Sequence, residues 1–453
     1  MRTKSLVLKS FVFLMAASLI LVGCGGGKAE NASSDSGMSP PASSAGQSPS
    51  ASGAEGEKDP KDYKGEITLW AWGDYEKNLI PYFNKDYPNI KVNVVVVPNS
   101  DYGKKLQATI ASKGDMPDVA LLEISSRGQL MSLDAWENLE KPPYNVNRDD
   151  IVDFALPLDM NEKGEIVTLQ EDATMAGIAY KRDLAKQYFG TDDPAELEKM
   201  FNSWDAFAAK AAEVEQKSGG KVHLFDGLFE DGYRMIGGEY TEPFVKDGKL
   251  NTEATFLPMY RTMEKLVKAK AFGNFESWTA PWNASFANNS VIFYPCPTWF
   301  VPVVIKANDK KGAGNYGLMK APIGGFSWGG TGLSIPKDAK NKELAWQFVK
   351  WVTLSENGAK AFKEVNSTMT LYKPAFEQEG FYSAPDPFFG GQDIMAKFVE
   401  LGKEAKSRPI TKYDTIVNDA NAIVLKMIQT GTGADEAYQK LVEEILKKAP
   451  ELK

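Results

Sequence analysis

GEITLWAWGDYEKNLIPYFNKDYPNIKVNVVVV, residues 65–97, is the stretch whose reading decides the architecture. Ile67 and Leu69 mark a strand over residues 67–72, and the run Val94, Val95, Val96, Val97 marks another over 91–97. Between them Leu79, Tyr82, Phe83 and Tyr87 recur at helical spacing. Pro81 is compatible with a helix only in its first turn, so the helix begins near Asn78, which can cap it. A strand, helix and strand of this length predict a parallel pair with a right-handed crossover. The first strand runs out into Trp72, Gly73 and Asp74. Open parallel sheets bind ligands beyond the carboxyl ends of their strands. An indole beside a carboxylate there suits a neutral, hydroxylated, flat-faced molecule such as a sugar.

Composition narrows the alternatives. The chain has 453 residues, 43% of them hydrophobic, which is enough for a large core and two or more domains. A net charge of −8 supplies no basic footprint for nucleic acid. His223 is the one histidine and there are two cysteines, so a zinc site lacks ligands and a histidine-based triad has only His223 to use. No cofactor or metal is expected. Carboxylates alone suffice for glycosidases, so hydrolysis stays open on composition.

The N-terminus predicts location. Arg2, Lys4 and Lys9 precede an apolar run over residues 11–22, too short for a membrane span and of the length of a signal-peptide core. It ends in Leu21, Val22, Gly23 and Cys24, followed by three glycines. This resembles the bacterial lipobox: residues 1–23 would be a signal peptide and Cys24 the lipidated new N-terminus. An ordinary cleavage site with an incidental cysteine is the alternative. Residues 24–63, rich in Gly, Ser, Ala and Pro, have almost nothing to bury and predict a flexible tether. Such a tether spans on the order of 35 Å. The folded body would then work just outside a bacterial cytoplasmic membrane, with Cys296 its only cysteine and no internal disulfide.

Along the body, strands and helices alternate, which is an α/β pattern. Helices are expected over 101–112, 133–139, 252–272, 341–352, 416–428 and 434–447, with another capped by Asn202 and closed at Gly219 and Gly220. Strands are expected over 119–122, 174–180, 221–225, 290–294, 316–320 and 331–335. The strand at 119–122 ends in Glu123, Ser125 and Ser126, again polar groups at a carboxyl end.

Six segments, in this order, carry a resemblance. They are ITLWAWGD (67–74), MPDVALL (116–122), GIAYKRDL (177–184), SVIFYPCPTWF (290–300), GGTGLSIPKDAKNKELAWQFVKWV (329–352) and ADEAYQKL (434–441). Together they resemble the carbohydrate-binding extracellular solute-binding lipoproteins of ABC importers, the family that includes the maltose-binding protein. The resemblance implies a two-lobed periplasmic-binding fold with hinge strands and an interlobe ligand cleft. Lobe one would take 64–174 and 330–375, and lobe two 175–329 and 376–453. It further implies reversible capture of a sugar by a monomer and delivery to membrane permease subunits, without catalysis. Carried onto this chain, Trp72 and Asp74 fall at the first-strand contacts, and Glu123, Ser125 and Ser126 at the third-strand tip. Trp299 takes the place of a stacking aromatic, and Trp328 and Gly329 lie in the glycine loop. Cys296, Pro297 and Thr298 replace a glycine that many members have near that aromatic, which leaves the pose of Trp299 to the tertiary structure.

Aromatic faces stack on the C–H faces of pyranoses while carboxylates and amides take the hydroxyls. Trp299 and Trp328 sit among Pro, Thr, Ser and Gly, which suits loop tips. Trp278, Trp282, Asp172 and Glu123 complete the ligand-binding set, each weighed against a packing or solvated role. Trp70 is read as core, Trp204, Trp346 and Trp351 as structural, His223 as a satisfied buried histidine, Cys296 as a small buried side chain and the Asp247-Gly248 region as a turn. Abundant tryptophans favour an oligosaccharide or a decorated sugar. Two rivals remain: a sugar-sensing accessory of a surface receptor, and a lipid-anchored glycoside hydrolase using two of Asp74, Glu123, Asp172 and Glu230.

Overall fold

The computed structural model describes residues 58–453. The expected signal peptide, Cys24 and the tether up to residue 57 lie outside the described residues. The described residues begin ahead of the expected boundary at residue 64: Asp59 caps a short 3-10 turn, Pro60–Asp62, and Tyr63 is buried against Tyr87.

The opening unit forms as its spacing predicts, except that Asn78 does not cap the helix: it ends a 3-10 turn, and the helix starts after Leu79 with no side-chain cap. Strand β1 (Gly65–Ala71), helix α1 (Ile80–Asp86) and strand β2 (Ile90–Val96) follow one another, with Pro81 in the first turn of α1. β1 and β2 pair in parallel from Gly65 with Ile90 to Ala71 with Val96. Helix α2 (Asn99–Ser112) leads to strand β3 (Val119–Glu123), whose first four residues are all buried, as strands covered on both faces are. Helix α3 (Ile124–Met131) follows at once, because the Glu123 carboxylate accepts from the Ser125 N–H at 2.9 Å and caps it. The helix expected over 133–139 is therefore absent; the chain turns there and Trp136 makes a lone bridge with Pro336.

The remaining strands are β4 (Leu169–Gln170), β5 (Met175–Lys181), β6 (Val245–Lys246), β7 (Lys249–Leu250), β8 (Phe293–Pro297), β9 (Tyr316–Met319), β10 (Phe326–Ser327) and β11 (Thr331–Ser334). They build a five-stranded sheet in the order β2-β1-β3-β11-β4, a second sheet in which β5 pairs with β8, β9 and β10, and the small hairpin β6-β7. In that hairpin Asp247 and Gly248 take left-handed φ values of 52° and 73°, the geometry of a tight two-residue turn.

The chain leaves the first sheet through residues 171–174 and returns to it through residues 328–330. The two links are tied together: Trp328 N–H donates to the Thr174 carbonyl at 3.0 Å and Glu171 N–H to the Thr331 carbonyl at 2.9 Å. A third segment joins them where Ala173 N–H donates to the Met369 carbonyl at 2.7 Å.

Two strand expectations shift. Residues 221–225 form only lone bridges, His223 with Val291 and Phe225 with Phe272. The strand expected at 290–294 sits at Phe293–Pro297, so Cys296 and Pro297 lie in a strand, with Cys296 buried. β8 ends the run β10-β5-β8, a position where prolines are tolerated, and its first residue donates outward, Phe293 N–H to the Leu224 carbonyl at 2.8 Å. The long helix after Phe201 is capped by Ser203, one residue past the expected Asn202, and ends at Gly219 with φ 63°. Near the C-terminus Asp414–Gln429 and Ala434–Lys448 pack on Glu253–Lys268.

Candidate functional site

A cavity of about 490 Å³ opens between α3 and the helix Asp414–Gln429. Ser125 and Ser126 at the start of α3 form one wall, and Ser327 and Gly329 from the returning link form another. Tyr233, from the π-helical stretch Leu228–Ile236, and Arg408 close the far side. Arg408 lies 2.5 Å from the Asp414 carboxylate and flat over the Phe244 ring, 3.4 Å from its centre. Tyr233 donates to Asn418 Oδ1 at 2.7 Å, and Thr415 Oγ1 donates to the Ser125 carbonyl at 2.9 Å. The walls therefore offer hydroxyls, an oriented guanidinium and aromatic surface, a set suited to a polyhydroxylated ligand.

Beside Gly329 stands a bank of four tryptophans. Trp299, half-buried, follows directly on β8 and Thr298, and its indole N–H donates to the Trp328 carbonyl at 3.1 Å. Trp328 is buried and meets Trp299 edge-on, centroids 5.2 Å apart at 65°. Trp282 is buried too; its N–H donates to the Asp226 carboxylate and its ring packs on Phe286 and Phe300. Trp278 is 57% exposed and lies nearly parallel to Trp299, centroids 6.2 Å apart at 16°. Gly329 has φ 92°, and a Cβ there would come 2.8 Å from Trp299 Nε1, so both backbone and space demand glycine. The indole hydrogen bond to the Trp328 carbonyl holds the pose of Trp299, and Gly329 leaves room for it.

Of the predicted residues Ser125, Ser126 and Gly329 line the cavity and none of the four tryptophans does; the others lie elsewhere. Trp72 is half-buried and meets the Tyr102 ring edge-on at 5.5 Å, away from the cavity wall. Asp74 is exposed and paired with Lys77 at 2.6 Å. Glu123 spends its carboxylate on the cap of α3, taking both the backbone N–H and the hydroxyl of Ser125. Asp172 is buried within the first link itself. Trp282, weighed as ligand-facing, is enclosed by phenylalanines. Trp70, read as core, is half-buried with the Lys105 ammonium 4.1 Å from its ring centre, and His223 is half-buried where full burial was expected. Trp346 and Trp351 are buried, the latter donating to Asp86 at 2.7 Å. Tyr233, Arg408 and Asp414 were not singled out by sequence reasoning, since no motif surrounds them.

In and around the first link lies a cluster of buried ionisable groups. Burial pushes the Asp172 carboxyl up to about 7 and Asp159 up to about 8. Burial raises Glu171 well above the usual carboxylate range, with repulsion from Glu76 and Asp172 adding to it. Arg127, fully buried, stands 4.0 Å from Asp159, too far for a hydrogen bond, and donates instead to the carbonyls of Leu122, Leu158 and Gly330. Of the four carboxylates considered for hydrolysis, Asp74 is a surface group, Glu123 a cap and Asp172 buried; the side chain of Glu230 lies outside the described residues. Among the described residues, no three His, Cys, Asp or Glu side chains are grouped to hold a metal ion.

The sequence profile of bacterial extracellular solute-binding proteins matches residues 78–379. The chain is similar to an arabinooligosaccharide-binding protein of Bacillus subtilis strain 168, at 24% identity over 317 residues, 65% of this chain and 70% of that protein. Among solved structures it is similar to an extracellular solute-binding protein of family 1, with a TM-score of 0.75 and 20% identity over 85% of this chain and 99% of that one. It is similar also to the sugar-binding protein MalE of Xanthomonas citri, with a TM-score of 0.69 and 20% identity over 85% and 98% of the two chains. These likenesses give the fold as two-lobed α/β.

Proposed function

As the chain belongs to the bacterial extracellular solute-binding protein family, we propose that it captures an oligosaccharide in its interlobe cleft and delivers it to the permease of an ABC importer. The observation that carries the sugar is the tryptophan bank beside a wall of serine hydroxyls. Indole faces cover the C–H faces of sugar rings, and the hydroxyls and Arg408 meet the polar rims. The family places the protein outside the cytoplasm, and the names of the arabinooligosaccharide-binding relative and of MalE point to the same ligand class.

In this reading Ser125, Trp278, Trp299, Trp328 and Gly329 touch the ligand and Trp282 backs them. Trp72 and Asp74 are the first lobe's contribution as the cleft closes. Glu123 and Asp172 act as positioning residues, one capping α3 and the other within the first link. The lobes are 64–174 with 330–375 and 175–329 with 376–453, a division supported by the change of sheet at 171–174 and 328–330. Cys24 carries the lipid that holds a single chain at the outer face of the membrane. Binding is reversible and no bond in the sugar is broken.

Calorimetric titration of the full-length chain against a panel of plant and microbial oligosaccharides, with hydrolysis products assayed in the same samples, tests this. Stoichiometric binding without turnover is expected. Turnover would overthrow the binding-protein reading, and silence across the panel would overthrow the sugar.

A further inference from the structure

We propose that Glu76 and Glu171 form a proton-operated switch for the opening of the two lobes: held protons keep the lobes together, and their loss lets them part. The inference rests on the two-lobed reading above and not on the identity of the ligand.

Three separate stretches of chain meet at this pair. Glu76 stands in the short turn after β1, and Glu171 and Asp172 begin the first link. Tyr75 Oη and Thr368 Oγ1 lie 3.1 Å apart, and the next residue, Met369, accepts from Ala173 N–H at 2.7 Å. Glu76, Glu171 and Asp172 are all buried at this crossing. One carboxylate oxygen each of Glu76 and Glu171 has no hydrogen-bond partner among the described residues. An unpaired carboxylate charge is costly to take out of water, so such a group keeps its proton while it stays buried.

The surrounding charges do little to offset that cost. Glu171 faces Glu76, Asp172 and Arg127, and Asp172 faces Arg127. Arg127 also faces Asp159 and Glu123, so a single buried guanidinium serves several acids. On the other side Glu76 faces Asp74 and Lys77, which pair with each other at the surface, and the phenols of Tyr75 and Tyr102. Burial accordingly pushes Glu76 up to about 7 and Glu171 well above the usual carboxylate range.

With the lobes divided as proposed, two hydrogen bonds cross between them. Thr415 Oγ1 donates to the Ser125 carbonyl and Lys412 N–H to the Glu162 carboxylate, each at 2.9 Å. The lobes therefore touch in this structure. Gly329 lines the cavity, Gly330 accepts from Arg127 at 2.6 Å, and Arg127 faces Glu171 and Asp172. Parting the lobes turns the links and admits water to the crossing, where a hydrated carboxyl is ionised at neutral pH. The sign follows: closure takes up protons, so alkaline conditions favour the open form.

Small-angle scattering of the unliganded full-length chain from about pH 5.5 to about pH 8.5 tests the switch, the N-terminal segment being common to every sample. The wild-type radius should grow as pH rises through about 7, while that of the double variant Glu76→Gln/Glu171→Gln, whose two amides cannot ionise, should stay constant. Circular dichroism should be unchanged across the range. A wild-type radius that does not respond, the same growth in the double variant, or growth accompanied by loss of helix signal would each overturn the switch. Calorimetric titration with arabinotriose and maltotriose, in phosphate and in Tris at about pH 7, should show about one proton taken up per sugar bound and none in the double variant. Binding without proton uptake would overturn the switch and leave sugar capture standing. Silence toward both sugars beside the expected scattering change would count against the sugar reading alone.

Discussion

The Arg127 guanidinium donates to the carbonyl of Gly330 across 2.6 Å, joining the helix at the tip of β3 to the link by which the chain re-enters the first sheet. The same carbonyl accepts from Ile124 N–H at 3.2 Å, so both the cap end and a buried side chain of α3 hold this link. The cavity wall at Ser125 and Gly329 is set by that pair of bonds.

Arg127→Met should therefore cost about 3–5 kcal/mol of stability, since it takes a donor from three buried carbonyls and removes the cation beside the buried carboxyls. Urea unfolding measures this. A variant as stable as wild type would show that the guanidinium contributes nothing net.

The buried carboxyls predict an unusual pH trend. Asp172 at about 7, Asp159 at about 8 and Glu171, also raised, hold protons that the unfolded chain has already released. A raised folded pKa contributes stability that is complete below the unfolded value of about 4 and is lost as pH rises through the folded value. Depressed acids such as Glu443, paired with Lys447, act in the opposite sense but are exposed and screened. The melting temperature should fall between about pH 6 and about pH 8, and less steeply in Glu171→Gln. A rise over that range would reject this account.

Gly128 of α3 faces the chain at Thr411 so closely that a Cβ would lie 2.2 Å from the Thr411 carbonyl oxygen. Alanine would gain about 1 kcal/mol in helix propensity, but the backbone clash is larger and sets the sign. Gly128→Ala should lower the melting temperature and, with 410–415 in the opposite lobe as proposed, enlarge the radius measured by small-angle scattering. A more stable variant of unchanged radius would refute the close contact.

Trp299 and Trp282 should separate affinity from stability. Trp299→Ala should weaken sugar binding by about 1–3 kcal/mol through lost stacking and buried area. Trp282→Phe removes a donor from the buried Asp226 carboxylate and should cost about 1–3 kcal/mol in stability, with a smaller effect on affinity. Calorimetry and thermal melts on both variants check this, and the reverse pattern would exchange their roles.

How much was legible follows from the range of each interaction. The unit at residues 65–97 is encoded by neighbours: the valine run, the helical spacing of Leu79, Tyr82 and Phe83, and a proline permitted only in a first turn. The same holds for the hairpin at Asp247 and Gly248 and for the C-terminal helices. Glu123 was visible at a strand tip, but whether a carboxylate there faces a ligand or caps a helix depends on where the next helix starts. Trp282 and Trp278 stand four residues apart in similar polar sequence, yet Phe286 and Phe300 enclose one and leave the other in solvent.

By itself, then, the sequence determined the α/β class and the order of most elements, because periodicity and turn chemistry act within a few positions. The tertiary structure alone decided which tryptophan is exposed, that Asp172 and Arg127 are buried, and that Tyr233 meets Asn418 across 185 residues of chain to wall the cavity. Burial and cleft formation are properties of segments brought together from far apart, and their energies depend on partners that no local pattern of residues specifies.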